Sequence, residues 1–193
     1  MNAKQVNYKN VYYPPGGLLM WIVIFLELFT FGAVLIALVI SSKENPEAYH
    51  QSRLHLNAAF GAVNTIFLLV SGFFMATSVQ QFKANNIEKT LSYLKLTMLG
   101  GLLFLILKGT EYYLKIEDGF GLGYDSFFTY YWLLTGFHLI HVIVGLVILG
   151  FMYYGIKKSE QETVLEDLEA SAAFWHMCDL IWLLLFPTLY LIL

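Results

Sequence analysis

Five long apolar stretches, separated by short polar segments, dominate the pattern of the chain. They run over Leu18–Ile40, Asn57–Val79, Tyr93–Leu114, Phe127–Tyr154 and Ala172–Leu193. The hydrocarbon core of a bilayer is about 30 Å thick, so a helix rising 1.5 Å per residue crosses it with about 20 apolar residues. The pattern therefore predicts an all-α integral membrane bundle of five transmembrane helices.

The polar segments between these stretches are short. At about 12–18 residues each, the connecting loops cannot fold as soluble catalytic domains. Residues 1–17 are predicted to form a polar N-terminal segment without the features of a cleavable signal peptide, and residues 18–193 to form the transmembrane domain. Pro14, Pro15, Gly16 and Gly17 interrupt the chain just before the first span.

Basic residues are distributed unevenly between the two ends of the predicted bundle. Seven lie on the side of the N-terminus and three on the other side, because Lys108 falls inside a span. The first group is Lys4, Lys9, Lys83, Lys89, Lys95, Lys157 and Lys158, and the second is Lys43, Arg53 and Lys115. Since cytoplasmic loops carry the excess of Lys and Arg, we expect a cytoplasmic N-terminus and a periplasmic C-terminus.

Aromatic residues gather near the predicted ends of the spans. Such belts are typical of membrane–water interfaces, where amphipathic rings lie at the level of the headgroups. One belt comprises Tyr12, Tyr13 and Trp21, and the other comprises Tyr112, Tyr113, Tyr130, Tyr131 and Trp132.

Composition agrees with a membrane protein. The chain is 58% hydrophobic and 13% charged, whereas ordinary soluble domains are about 45–50% apolar and about 25% charged. This excludes a disordered chain, a nucleic-acid-binding protein and an ordinary soluble enzyme. The single cysteine, Cys178, leaves no disulfide framework or thiolate cluster within the chain.

Seven ionisable residues fall inside the predicted spans, where a charge costs about 2.5–3.5 kcal/mol on insertion scales. They are Glu27, Lys108, Glu111, His138, His141, His176 and Asp179. Glu27 is either a proton-exchanging carboxyl or a protonated carboxyl that donates a hydrogen bond to a neighbouring helix. Lys108 and Glu111 are three residues apart on one helix face, which favours a structural ion pair over an ion pathway.

The histidines are weaker candidates for metal ligands. His138 and His141 share a helix face, but a metal site would need ligands from another helix. His176 and Asp179 offer them, yet the predicted depths differ: about 11 and 14 residues from the outer face against about 4 and 7 residues from the inner face. We therefore expect interhelical hydrogen bonds here and no metal site.

Five motifs, in order along the chain, carry a family resemblance. LELFTFG in the first span contains Glu27, and the others are VNTIFLLVSG at 63–72, LKGTEYY at 107–113, TGFHLIHVIVG at 135–145 and EASAAFWHMCDLIWLLLF at 169–186. Together they resemble subunit III of the haem-copper oxidases, over nearly the whole chain from about residue 18. TGFHLIHVIVG is the most specific of the five.

The resemblance implies an accessory, non-catalytic subunit of a respiratory terminal oxidase in the bacterial cytoplasmic membrane. That complex couples oxygen reduction to proton translocation, and the chain would support its assembly, lipid binding and proton uptake without redox centres of its own. Haem and copper would belong to the partner subunits I and II, with subunit I as the main contact, within a larger supercomplex in some cases. Phospholipid would bind between helices.

The resemblance also suggests roles for individual residues. Glu27 matches a buried family glutamate linked to proton delivery or to the stability of the catalytic subunit. Glu111, His138, His141, His176 and Asp179 match other intramembrane polar positions, with the two histidines of TGFHLIHV as structural polar contacts. Near the inner interface, the expected lipid contacts are Trp175 and His176.

Two departures from the family pattern leave alternatives open. Many members have seven spans, whereas this chain has five, and Lys108 occupies a position where the common pattern has glutamine. Both features are similar to a branch associated with nitric oxide reductase. Outside the family, the chain could be a small transporter or channel using Glu27, Lys108 and Glu111, or a membrane haem protein using His138 or His141.

Overall fold

The computed structural model describes residues 14–158 and 165–192. In this part of the chain there are six α-helices, one terminal π-helical turn and no strand. The helices are α1 (Gly17–Glu44), α2 (Pro46–Leu54), α3 (Ala58–Lys83), α4 (Ile87–Glu117), α5 (Ser126–Lys158) and α6 (Leu165–Pro187), and the π-turn is Thr188–Ile192. Five helices are long and apolar enough to cross a membrane, which confirms the predicted all-α bundle of five spans.

The helices extend further than the apolar stretches that predicted them. Polar residues at the ends continue the helical hydrogen bonding, so the connections shrink to residues 84–86 and 118–125. The prediction of loops of about 12–18 residues was therefore wrong. The largest change at a single helix end is at the start of the last span, because α6 begins at Leu165 rather than Ala172 and includes the acidic residues Glu166, Asp167 and Glu169.

The segment between the first two spans is a helix, where a loop was predicted. Asn45 caps α2 by accepting a hydrogen bond from the amide of Ala48, and Pro46 occupies the first turn. Tyr49 donates to Ser41 Oγ over 2.8 Å, and its burial raises the pKa of its phenol. Ser52 hydrogen bonds to Asp125, which precedes α5. These contacts hold α2 across one end of the bundle.

Several predictions fall on residues outside the described range or are untested by the fold. Lys4, Lys9, Tyr12 and Tyr13 lie in residues 1–13, and Leu193 also lies outside. The division at residue 17 and the cytoplasmic position of the N-terminus stay predictions. The described helices do place the α3–α4 turn at the end of the bundle where α1 begins.

Helix α6 lies at the centre of the bundle. It packs against α1, α3 and α5, while α4 packs between α3 and α5. Half of the residues in its most apolar 18-residue stretch are buried, a larger share than in the corresponding stretch of any of the other four spans. Its two tryptophans, Trp175 and Trp182, are completely buried. At Pro187 the α-helix gives way to the π-turn.

Two glycines make room for Trp175. A Cβ atom at Gly101 of α4 would lie 2.5 Å from Trp175 Cη2, and one at Gly145 of α5 would lie 2.9 Å from Trp175 Cε3. Between them, the indole N–H donates to Ser71 Oγ of α3 over 3.0 Å, and Ser71 in turn donates to the Thr97 carbonyl. A single side chain thus connects four helices, since small residues let backbones approach closely.

We predict that Gly101→Ala destabilises the bundle by about 1–3 kcal/mol, because the added methyl group displaces the Trp175 ring. The matched control is Gly109→Ala in the same helix, where a Cβ has nothing within 4 Å. Cys178, the sole cysteine, is buried and reports unfolding through thiol alkylation on heating. Equal melting temperatures for both variants would contradict the proposed packing.

Candidate functional site

The spacing of Lys108 and Glu111 in α4 produces the predicted ion pair. Lys108 Nζ lies 3.0 Å from Glu111 Oε2, and the two side chains are 0% and 2% exposed. Both residues are on the face of α4 that includes Gly101 and Phe104, which are also buried. A buried ion pair is tolerated only when its remaining hydrogen-bonding capacity is satisfied, so further partners are required.

Two tyrosines supply those partners. Lys108 Nζ donates to Tyr131 Oη of α5 over 3.1 Å and to Tyr190 Oη of the π-turn over 2.6 Å. The same hydroxyls donate to Glu111 Oε1, over 3.1 Å from Tyr131 and 2.7 Å from Tyr190. The four residues therefore form a closed cluster that connects α4, α5 and the end of the chain. We call it the Lys108 cluster.

Aromatic rings enclose the ammonium group of Lys108. Its Nζ lies 4.7 Å from the ring centroid of Tyr131 and between 5.1 and 5.4 Å from those of Tyr112, Tyr190 and Trp182. Ring faces attract cations, and the attraction grows when both groups are desolvated. This environment compensates in part for the hydration that Lys108 loses.

Sequence reasoning missed both tyrosines of the cluster. It assigned Tyr131 to an interfacial belt, but the side chain is completely buried and bonded to Lys108. Tyr190 received no role. The available signal was that Tyr131 lies one helical turn before Thr135 and two before His138, on the buried face of α5.

Glu27 is paired with His141, which the sequence did not indicate. Glu27 Oε2 lies 3.3 Å from His141 Nε2 and 3.4 Å from the hydroxyl of Thr30. On its other side, His141 Nδ1 lies 2.8 Å from the Phe137 carbonyl oxygen. Because a carbonyl oxygen accepts, Nδ1 carries a hydrogen, and Nε2 faces the carboxyl group with a lone pair unless a second proton is present. Glu27 and His141 therefore form a polar contact between α1 and α5.

His138 makes ring contacts where hydrogen bonds were expected. It is completely buried, and neither ring nitrogen has a hydrogen-bond partner among the described residues. The ring stacks on Trp182 at 5.4 Å and meets Phe104 and Phe31 edge-on. The expected interhelical hydrogen bond is thus replaced by aromatic packing. His138 and His141 also point to different partners, so they do not converge on a common ligand position.

The structure corrects the depths predicted for the last span. With α6 starting at Leu165, His176 is the central residue of that helix and not a residue near the inner interface. Ring contacts of nearby α6 residues with α5 support this position. Phe174 stacks on His141 at 6.4 Å, and Trp182 stacks on His138. The ionisable residues of α5 and α6 therefore lie at similar depths.

This depth also changes the predicted lipid contacts. Trp175 is enclosed by protein, so it packs the core and does not contact lipid. His176 is exposed at the middle of α6, so its contact with lipid stays a prediction. Its Nδ1 lies 3.4 Å from Asp179 Oδ2, and the carboxyl group packs against Gly72 of α3.

Metal ligation has no counterpart in the described residues. Over 14–158 and 165–192, no group of three or more His, Cys, Asp or Glu side chains could hold a metal ion. Six of the seven ionisable residues predicted inside the spans occur instead as separate pairs: Lys108 with Glu111, Glu27 with His141 and His176 with Asp179.

These features define the class as a multi-span helical membrane protein whose buried charges are paired within the bundle. The sequence model described as cytochrome c oxidase subunit III matches residues 17–192. The chain belongs to the cytochrome c oxidase subunit III family. This confirms the resemblance that the five motifs indicated.

Individual relatives agree with the family match. The cytochrome bo(3) ubiquinol oxidase subunit 3 of Buchnera aphidicola subsp. Acyrthosiphon pisum is 28% identical over 173 residues, covering 89% of this chain and 84% of that protein. Its counterpart in Pseudomonas putida is 30% identical, covering 69% of this chain and 65% of that protein. A probable cytochrome c oxidase subunit 3 of Rickettsia conorii is 33% identical and covers 67% of this chain. This chain spans 46% of the Rickettsia protein.

We predict that Tyr190→Phe destabilises the bundle by about 1–3 kcal/mol, because it leaves the buried Lys108 and Glu111 each short of a partner. Tyr113→Phe is the matched control, since that exposed tyrosine donates to Glu117 on the surface of the same bundle. Heat-induced alkylation of Cys178 measures both. A Tyr190→Phe protein as stable as the control would show that the cluster contributes little to stability.

Proposed function

We propose that this chain is an accessory, non-catalytic subunit III of a respiratory haem-copper terminal oxidase in a bacterial inner membrane. The family match over residues 17–192 supports this proposal, as do relatives named as subunit 3 of ubiquinol and cytochrome c oxidases. Haem and copper, which supply the redox chemistry of such oxidases, then belong to other subunits. The chain docks mainly on subunit I, with subunit II and in some cases a larger supercomplex as further partners.

The observation that best supports this proposal is that the Lys108 cluster is buried and that its polar atoms bond to one another. A pathway for ions or protons needs groups that are open to water, whereas Lys108 and Glu111 direct their polar atoms to each other and to two tyrosines. This arrangement supports a stabilising role and argues against a transporter that uses the pair. Such a rigid bundle suits a subunit that stabilises its catalytic partner.

Lipid binding is part of the proposal. Between α1 and α5 lies an apolar groove, which fits an acyl chain in chemistry and position. Its lining residues are Thr30, Phe31, Val34, Leu133, Leu134 and Phe137. The groove lies one turn from the Glu27–His141 pair, so a bound lipid would limit the access of water to that pair.

The proposed function is tested by purifying the chain in mild detergent through an affinity tag. We expect a haem- and copper-containing subunit to co-purify and the complex to consume oxygen. Co-purification with a nitric oxide reductase would instead favour the branch suggested by Lys108. A Soret band from the isolated chain would support the haem-protein alternative and contradict the accessory role.

We also propose that Glu27 supports proton uptake by the catalytic subunit. The side chains of the Glu27–His141 pair are 19% and 11% exposed, unlike those of the enclosed Lys108 cluster. The position of this pair at the surface of the bundle would let it exchange a proton with a neighbouring subunit or water. The alternative is a purely structural hydrogen bond between α1 and α5.

Replacing Glu27 separates these two roles. In the assembled oxidase, Glu27→Gln keeps a hydrogen-bonding group but cannot exchange a proton, so we expect slower turnover and faster inactivation over many catalytic cycles. Thr30→Val is the control, because it removes a hydrogen bond to Glu27 but keeps the carboxyl group. Wild-type turnover and lifetime in both Glu27→Gln and Glu27→Ala would rule out a proton role.

A further inference from the structure

His176 places an ionisable ring on the outside of the bundle. Its side chain is 45% exposed, while the Asp179 side chain beside it is 9% exposed. The same face of α6 carries the exposed residues Leu180, Leu183 and Leu184. These positions recur at helical spacing, so they form one stripe, which we call the His176 face.

From the lengths of the helices, we expect the His176 face to lie deep in the membrane. His176 is about 17 Å from both Leu165 and Pro187, the two ends of α6, at 1.5 Å per residue. The carboxyl group of Asp179 and the Nδ1 atom of His176 pack against Gly72, which lies close to the middle of the adjacent helix α3. Two neighbouring helices thus place the imidazole near the centre of a hydrocarbon core about 30 Å thick.

The polar groups of this pair are only partly satisfied. His176 Nδ1 faces Asp179 Oδ2, which directs the second ring nitrogen, Nε2, away from the carboxyl group. The other oxygen, Asp179 Oδ1, is buried without a partner in the described structure. Within residues 14–158 and 165–192, Asp179 is the one polar partner of the His176 ring. Hydrocarbon offers no hydrogen bonds, so ionisable side chains in spans almost always face protein or water.

Among the seven ionisable residues predicted inside the spans, all of which the structure describes, His176 is the most exposed. Lys108 and Glu111 are enclosed, and Glu27 and His141 are at most one-fifth exposed. The leucines around His176 make the face apolar apart from this single ring. Such a surface matches another transmembrane helix better than a water-filled crevice, because one polar contact among apolar neighbours fixes the register of two packed helices.

We propose that the His176 face is an intramembrane docking surface for a transmembrane helix of the partner oxidase subunit, which brings a hydrogen-bonding side chain to His176 Nε2. Serine, threonine, asparagine or glutamine on that helix fits both ring states, since each can donate to a neutral ring and accept from a charged one. The inference rests on the proposed function and adds which face of the chain meets the partner.

Site-specific photocrosslinking in the intact oxidase tests the orientation. A photoreactive residue at Leu180 is compared with one at Leu102, because Leu102 is similarly exposed and central in its span but lies on α4 instead of α6. We expect Leu180 to crosslink to another oxidase subunit and Leu102 to lipid. Crosslinks to a subunit from Leu102 alone, or only lipid adducts from Leu180, would overturn the proposal and leave the accessory function intact.

A second measurement tests the polar contact. We expect His176→Leu to lower the amount of this chain retained on the oxidase in detergent several-fold, and His176→Gln to restore most of it. Thr110→Val, which removes an exposed hydroxyl from the outer face of α4, is the control. Protection of Cys178 from alkylation verifies that each variant is folded.

The possible outcomes are distinct. Wild-type retention of a folded His176→Leu chain would contradict the docking contact. If no oxidase subunit co-purifies with the wild-type chain, the proposed function fails and the docking surface fails with it.

Discussion

The bundle must stabilise the charge of one buried lysine without help from water, and its packing depends on this requirement. Lys108 has no access to solvent, so every interaction that its ammonium group loses must be replaced by protein. Glu111 supplies the opposite charge, and Tyr131 and Tyr190 complete the hydrogen bonds. Because Tyr190 lies in the π-turn after Pro187, the same requirement fixes the end of the chain against α4 and α5. The constraint therefore acts on three separate elements at once.

Hydropathy and spacing predicted what depends on local sequence. The five spans and the Lys108–Glu111 pair follow from the length of apolar stretches and from the i,i+3 spacing. The partners that come from other helices could not be predicted in this way, since Tyr131 and Tyr190 meet Lys108 only through tertiary packing. The start of α6 was missed because its first turns carry Glu166, Asp167 and Glu169, which a hydropathy pattern assigns to a loop. That error moved His176 from the centre of the helix to its end.

The structure separates its polar groups into enclosed and open ones. The Lys108 cluster and the Trp175–Ser71 hydrogen bond lie inside and hold helices together. Glu27 with His141, and His176 with Asp179, lie at the surface, where a neighbouring subunit, lipid or water can reach them. This division fits a subunit that stabilises its own fold with one set of polar residues and meets its partners with the other. With this division, a small number of charged residues is enough both to stabilise the fold and to contact partner subunits.

A double-mutant cycle on Lys108 and Glu111 tests the central claim, that these two buried charges stabilise each other. Lys108→Met and Glu111→Gln, singly and together, are compared by the temperature at which Cys178 becomes reactive. Each single change leaves an uncompensated buried group and should cost about 3–5 kcal/mol. The double variant should be much more stable than the sum of the two losses implies. Additive losses would contradict the account, because they would mean that the two charges are stabilised independently.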